Sequence, residues 1–270
     1  MPTDAARPYS AKSPDARWDY IVIGSGMGGM TTAAMLARLG RRVLVLEQHY
    51  VPGGFTHTFK RKRHGTAGWT WDVGVHAVGE VDRRAATGRL LAALTEDRLR
   101  WSSLGGVYDE FHFPDLRIDF PDSKAQFESN LRAAFPDEGD AIARYFGRVR
   151  EVAGRMRSYY LSRLLPPVLS PVTDGLLAGG AHRLLGQRTA EVMRDVTEDR
   201  RLSTVLTAQW GYYGATPDRS SFAIHALVAR HFMHGGYYPV GGSASIAREL
   251  LQTVADAGGW TRVHAPVKEI

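Results

Sequence analysis

Cysteine does not occur anywhere in the 270 residues, which excludes a disulfide framework, a thiolate metal site and a cysteine nucleophile, and leaves redox chemistry to a bound cofactor. No run of about 18 consecutive apolar residues occurs either, so no membrane-spanning helix is predicted. Residues 1–17 lack the apolar stretch of a signal peptide, and residues 1–18 read as a flexible leader. No internal repeat is evident. Acidic residues are outnumbered, 28 against 34 Lys and Arg, for a net charge of +6. That excess suits an anionic partner: a phosphate-bearing cofactor, an acidic membrane surface or nucleic acid. The cations are spread along the chain, and their densest run, Lys60, Arg61, Lys62, Arg63 and His64, lies between two strand-like segments where a solvated hairpin turn accounts for it. Nucleic-acid binding is therefore not expected. A cytoplasmic location is expected, with peripheral membrane contact left open.

What is present is enough apolar matter, 44% of residues with 10% aromatic, to bury a core. Residues 19–23 (DYIVI) form a β-rich run that ends in Gly24, residues 27–39 carry small and apolar residues at helical spacing until Gly40, and residues 42–46 (RVLVL) are again apolar. Strand, glycine turn, helix and buried strand make a βαβ unit of a parallel sheet. From residue 108 the pattern alternates (DEFHF, then LRIDF) around Pro114 and Asp115, as in an antiparallel hairpin. Ser123 and Gln126 predict a capping box, and Ile142, Tyr145, Phe146, Val149 and Val152 an amphipathic helix. Residues 164–180, broken by Pro and Gly, read as a packed connector. Helical spacing returns over 191–232, with a break at Tyr212–Gly214. GGYYPVGGS (235–243) reads as a glycine-rich turn, followed by an amphipathic helix and the beginning of a strand.

Gly24, Gly26 and Gly29 satisfy G-x-G-x-x-G between strand and helix. The first glycine permits the tight turn, the second lets backbone approach a pyrophosphate, and the third lets helix and strand pack closely. Glu47, about 20 residues on at the end of the next strand, can accept hydrogen bonds from an adenosine ribose, and its charge disfavours the 2′-phosphate of NADP. FAD and NAD both fit these residues.

Beyond Glu47 come Pro52, Gly53 and Gly54, and then Asp72, Gly74 and His76. The string VIGSGMGGMTTAAMLARLGRRVLVLEQHYVPGGFTHTF, with WDVGVH after it, resembles the phytoene desaturase and carotenoid isomerase family of flavoproteins, in particular its retinol saturase branch. The resemblance extends through LRAAFPDEGDAIARYF, QWGYYGATPDRSSFAIHALVARHFMHGGYYPVGGS and the terminal VKEI. It implies FAD as cofactor, held by Gly24, Gly26, Met27, Gly28 and Gly29, by Glu47 and Gln48, by Gly53 and Gly54, and by Val267 near the adenine. It also implies a polyene lipid substrate, retinoid or carotenoid, and admits NAD(P)H as electron donor. The expected fold is α/β: a Rossmann-like FAD-binding βαβ domain (19–107), an inserted α+β substrate domain (108–234), and a segment (235–270) returning to the first. Where some relatives carry cysteine beside the glycine pair, this chain has Phe55 and Thr56. The family is commonly longer, with a second FAD-binding segment near its C-terminus, so the fold is expected to be incomplete there. Weak FAD binding, little turnover and a terminal strand with an exposed apolar edge follow as expectations.

The implied chemistry is hydride exchange between flavin and a C=C bond, with an acid to protonate the second carbon if the bond is saturated. His76, Tyr237 and Tyr238 are the candidate donors or orienters, each with a structural alternative as an ordinary hydrogen-bonded or packed side chain. Asp72 reads as a turn or helix-cap residue. A truncated, non-catalytic flavin fold, another amine-oxidase-like flavoprotein and a nicotinamide dehydrogenase are the alternatives.

Overall fold

A computed structural model describes residues 9–62, 68–164, 166 and 179–270. In chain order its elements are β1 (Tyr20–Ile23), α1 (Met27–Arg38), β2 (Val43–Leu46), β3 (Thr58–Arg61), β4 (Trp69–Asp72), α2 (Ala86–Thr95), β5 (Trp101–Ser103), β6 (Val107–Phe113) and β7 (Leu116–Pro121). Then follow α3 (Lys124–Ala134), α4 (Gly139–Ser162), α5 (Gly179–Gly186), α6 (Thr189–Val196), α7 (Arg200–Leu206), α8 (Phe222–His231), β8 (Tyr237–Pro239), α9 (Ala244–Asp256) and β9 (Trp260–Arg262). Two compact units result, residues 1–103 with 237–270, and residues 104–236, the second inserted in the sequence of the first. Among the described residues no helix is long and apolar enough to cross a membrane.

The first unit is a Rossmann-like α/β layer. Its sheet runs β1–β2–β9, all parallel, with Ile23 opposite Leu46 and Leu46 opposite Arg262. Val43 and Val45 are wholly buried, as a central strand covered on both faces requires. Helix α1 contributes Met30, Ala33, Ala34 and Ala37 to the same core, where Leu250, Leu251 and Val254 of α9 meet them. The three alanines keep α1 slim, so that α9 packs close to it; shortening the fully buried Leu250 to Ala would cost about 2–5 kcal/mol. The exposed apolar edge is not where the sequence suggested. The outer side of β9 is occupied by Ser10, whose N–H donates to Thr261 O at 3.1 Å and whose carbonyl accepts from Val263 N–H at 2.9 Å. Among the described residues β1 is the other edge of the sheet, with Tyr20, Ile21 and Ile23 exposed.

Two short antiparallel pairs complete this unit: β3 with β4, and β5 with β8. The first is the hairpin expected around the basic run, whose residues 63–67 lie outside the described residues. The second corrects the reading of GGYYPVGGS as a turn alone: Tyr237–Pro239 is a strand, paired with Trp101–Ser103. Three-residue strands leave too little alternation to be seen in sequence, and the flanking Gly235, Gly241 and Gly242, all at positive φ, dominate the local signal.

In the second unit, the hairpin β6–β7 forms around Pro114 and Asp115, and Ile118 and Phe120 from it join Leu131, Ile142, Tyr145, Phe146, Val149 and Val152 in a separate core. Ser123 Oγ caps α3 by accepting from Gln126 N–H, but Gln126 Nε2 donates to Asn130 Oδ1 at 2.9 Å instead of reaching back, so only half of the capping box forms. The buried imidazole of His225 lies 3.0 Å from Tyr145 Oη through Nε2 and 3.2 Å from Tyr213 Oη through Nδ1. Burial lowers its pKa to about 4. The connector expected at 164–180 falls largely outside the described residues.

Candidate functional site

The glycine turn between β1 and α1 is shaped by one close approach. A Cβ on Gly29 would lie 2.0 Å from the carbonyl oxygen of Gly24, so only glycine lets α1 start against the strand end. At Gly24, Gly26 and Gly28 an added Cβ would meet nothing within 4 Å; these positions border open space. Gly26 is the N-cap of the 12-residue α1, offers no side chain to cap it, and no acidic residue occupies the first turn. The first N–H groups of α1 and its positive end are thus left for an anion.

Ser25, between the glycines, ties the turn to two other motifs. Its backbone N–H donates to Glu47 Oε2 at 2.9 Å, its hydroxyl donates to the same oxygen, and its Oγ accepts from Gly53 N–H at 3.1 Å. Glu47 Oε1 accepts from His49 N–H at 2.8 Å. Glu47 is 7% exposed. Burial pushes its carboxyl upward, but the Ser25 hydroxyl and the His49 and Ser25 N–H groups outweigh that and hold its pKa below the ordinary value. Three of roughly four acceptor sites are therefore used within the chain.

The glycine pair closes on the same turn. Gly54, at φ 55, sits so near that a Cβ there would be 3.0 Å from Gly26 Cα, and Gly53 has φ 122, a conformation glycine accepts without strain. The chain after β9 crosses the end of β2, with His264 N–H donating to His49 O at 3.0 Å and Ala265 N–H to Glu47 O at 2.8 Å. Val267 follows two residues later, 37% exposed; Gln48 and Met27 are exposed too. Both glycine motifs, Glu47 and the terminal segment are thus gathered at the C-terminal ends of β1 and β2, where open α/β sheets bind ligands.

The three candidate proton donors are distributed differently. Tyr237 and Tyr238 are successive residues of β8, so their side chains leave on opposite faces. Tyr237 Oη donates to Asp82 Oδ2 at 3.1 Å and accepts from Arg84 at 3.3 Å. Tyr238 Oη donates to Asp72 Oδ2, while Ser243 Oγ donates to Asp72 Oδ1 at 2.6 Å. Asp72 is thus neither turn nor helix cap: it ends β4 and ties β8 and the N-cap residue of α9 to it. Partial burial and the adjacent Asp72 carboxylate push the Tyr238 pKa up to about 12, and burial raises that of Tyr237 as well. His76 lies exposed in the loop between β4 and the bridge at Val78.

A parallel sheet, a glycine turn into an uncapped helix and a carboxylate at the next strand end define a Rossmann-like α/β protein. The NAD(P)-binding Rossmann-like domain family matches residues 22–94. Cyclohexylamine oxidase from Brevibacterium oxydans IH-35A aligns in structure with a TM-score of 0.57 over 94% of this chain and 52% of that one, at 18% identity, which is a likeness of fold. Sequence similarity is more specific. The chain is 34% identical to the all-trans-retinol 13,14-reductase of Homo sapiens over 270 residues, covering 97% of this chain and 43% of that protein. It is 28% identical to the chloroplastic prolycopene isomerase of Daucus carota over 266 residues, 94% of this chain and 42% of that protein. The chain is a homologue of these two groups and spans less than half the length of the curated relatives it matches.

Proposed function

We propose that this chain supplies the FAD-binding part of a flavin-dependent oxidoreductase or isomerase that acts on C=C bonds of a polyene lipid. One observation carries the reading: the chain aligns along nearly its whole length with proteins named for retinol reduction and for prolycopene isomerisation, two reactions at C=C bonds of conjugated polyenes. The residues fit the cofactor. The backbone of Gly24, Gly26, Met27, Gly28 and Gly29 would hold the pyrophosphate, Glu47 would offer its remaining acceptor site to the ribose, with Gln48 beside it, Gly53 and Gly54 would approach without side chains, and Val267 would flank the adenine. When bound, FAD would supply hydride exchange with the C=C bond, a chemistry that admits NAD(P)H as electron donor.

The two tyrosines hold their protons tightly and are engaged by carboxylates, which suits them to orient groups; His76, in the loop after β4, is the third candidate. In this reading 19–107 with 235–270 serve the cofactor and 108–234 the substrate, a division supported by the two compact units, 1–103 with 237–270 and 104–236. The test is to purify the chain with FAD, record its visible spectrum, and assay turnover of retinol and of prolycopene with reduced flavin. Bound flavin is expected; product in either assay would identify the polyene acted on. Retention of NAD and not FAD would overturn the reading.

A further inference from the structure

The hydrogen bonds that Glu47 already accepts limit how it can meet a ribose. An ionised carboxylate only accepts, at about four lone-pair sites, two on each oxygen. Glu47 is in that state near neutrality, because its neighbours hold its pKa below the ordinary value. Both sites of Oε2 are filled by one residue, through the Ser25 N–H at 2.9 Å and the Ser25 hydroxyl. That hydroxyl is not free to turn elsewhere: Ser25 is wholly buried, and its oxygen accepts from Gly53 N–H at 3.1 Å, which leaves its proton for the carboxylate. Oε1 accepts from His49 N–H at 2.8 Å. Among the described residues Glu47 Oε1 has no second donor, so one site of the four is left.

A carboxylate held through both oxygens cannot swing to redistribute these bonds. Freeing a site on Oε2 for a ligand would strand the Ser25 N–H or hydroxyl, both buried, and a stranded buried donor costs more than a ligand hydroxyl left to water. We infer that Ser25 restricts Glu47 to a single ribose hydroxyl: Oε1 accepts from one of the 2′- and 3′-hydroxyls of an adenosine, and the other meets water. This rests on the reading of the β1–α1 turn as a dinucleotide site and adds to it a specificity for the sugar. Ser25 touches no ligand in this scheme. It is a positioning residue, acting through the carboxylate whose second oxygen it fills.

The experiment titrates the 270-residue chain calorimetrically with ADP, 2′-deoxy-ADP and 3′-deoxy-ADP. One deoxy form should bind within about twofold of ADP and the other about tenfold or more weaker, as for loss of one hydrogen bond to a charged group. Similar weakening of both forms, weakening of neither, or no binding of ADP would overturn the inference. Ser25→Ala, shown to be folded by circular dichroism, clears one site on Oε2. The deoxy form that the parent tolerates should then also bind about tenfold or more weaker than ADP. A role of Ser25 in stability alone would shift all three ligands together, and that result, or the parent's pattern unchanged, would refute its part. The parent series needs no variant, so it decides the single-hydroxyl contact even where Ser25→Ala does not fold. Retention of NAD in place of FAD would sink the flavin reading and leave this series unaffected, because both dinucleotides carry the same adenosine ribose.

Discussion

Ser25→Ala removes one oxygen and should weaken the first unit far more than a single side chain suggests. Ser25 is wholly buried. Its hydroxyl donates to a carboxylate that is ionised near neutrality, a bond of the kind worth about 1.5–3 kcal/mol, and its loss also leaves the Gly53 N–H without its acceptor, a penalty of about 1–3 kcal/mol. Contributions within one network do not add fully, so the net loss expected is about 3 kcal/mol. Urea unfolding followed by tryptophan fluorescence is the suitable assay, because five of the six tryptophans, Trp18, Trp69, Trp71, Trp101 and Trp260, belong to the first unit. The loss should depend on pH in a defined direction. The Glu47 carboxyl has a folded pKa below its ordinary 4.5, so the stability it contributes is present above 4.5 and disappears as pH falls through the folded value. The gap between parent and variant should therefore narrow in acid. A gap within about 0.5 kcal/mol at neutral pH, the size usual for an unremarkable surface change, would refute the network's role, and so would a larger gap that pH leaves unaltered.

Gly29→Ala should prevent folding of the first unit, since its methyl would fall 2.0 Å from backbone oxygen, whereas Gly147→Ala, inside a helix with nothing within 4 Å, should leave circular dichroism unchanged and raise the melting temperature slightly, in line with the about 0.5–1 kcal/mol that Ala gains over Gly in a helix; a folded Gly29→Ala would contradict the close packing. His225, ordinarily at 6.5 and lowered by burial to about 4, stays neutral in the fold. Stability of the second unit is then full above pH 6.5 and falls by about 3 kcal/mol as pH drops to 4, at roughly 1.4 kcal/mol per pKa unit. His225→Gln should flatten that slope in denaturant titrations, and an unchanged slope would place its cause elsewhere. Asp72→Asn should lower the Tyr238 pKa from about 12 by removing the adjacent negative charge, visible as one tyrosine ionising earlier in a difference absorbance titration; superimposable curves would count against the pairing.

The βαβ unit was legible because strand runs, glycine spacing and helix period all agree there. The same agreement made the β6–β7 hairpin and helix α4 readable. What was not legible depended on contacts distant in sequence. Ser25 occupies a variable position of its motif, and only the fold shows that its hydroxyl joins Glu47 to Gly53. Gly26 and Gly29 look equivalent in the motif, yet one borders open space and the other touches backbone. Tyr237 and Tyr238 are adjacent in sequence and were paired as candidates; strand geometry sends them to different carboxylates. Asp72 gave no sign that it anchors β8 and α9, since its partners lie 166 and 171 residues away. Glu47 was read as a ribose acceptor, and its internal bonds mean that replacing it perturbs stability along with affinity. Even Glu47→Gln would set an amide NH2 against one of its present N–H donors.

Gly26 therefore offers the cleaner probe of the cofactor site, because an alanine there meets nothing in the fold and obstructs only what approaches from outside. The direct measurement is a fluorescence titration of FAD against the parent chain and Gly26→Ala, both shown to be folded, with NAD titrated in parallel. Saturable FAD binding is expected in the parent, weakened about tenfold or more in Gly26→Ala, as for loss of one hydrogen bond to a charged group. Equal FAD affinity in the two proteins, or NAD binding in place of FAD, would contradict the assignment of the β1–α1 turn as a flavin dinucleotide site.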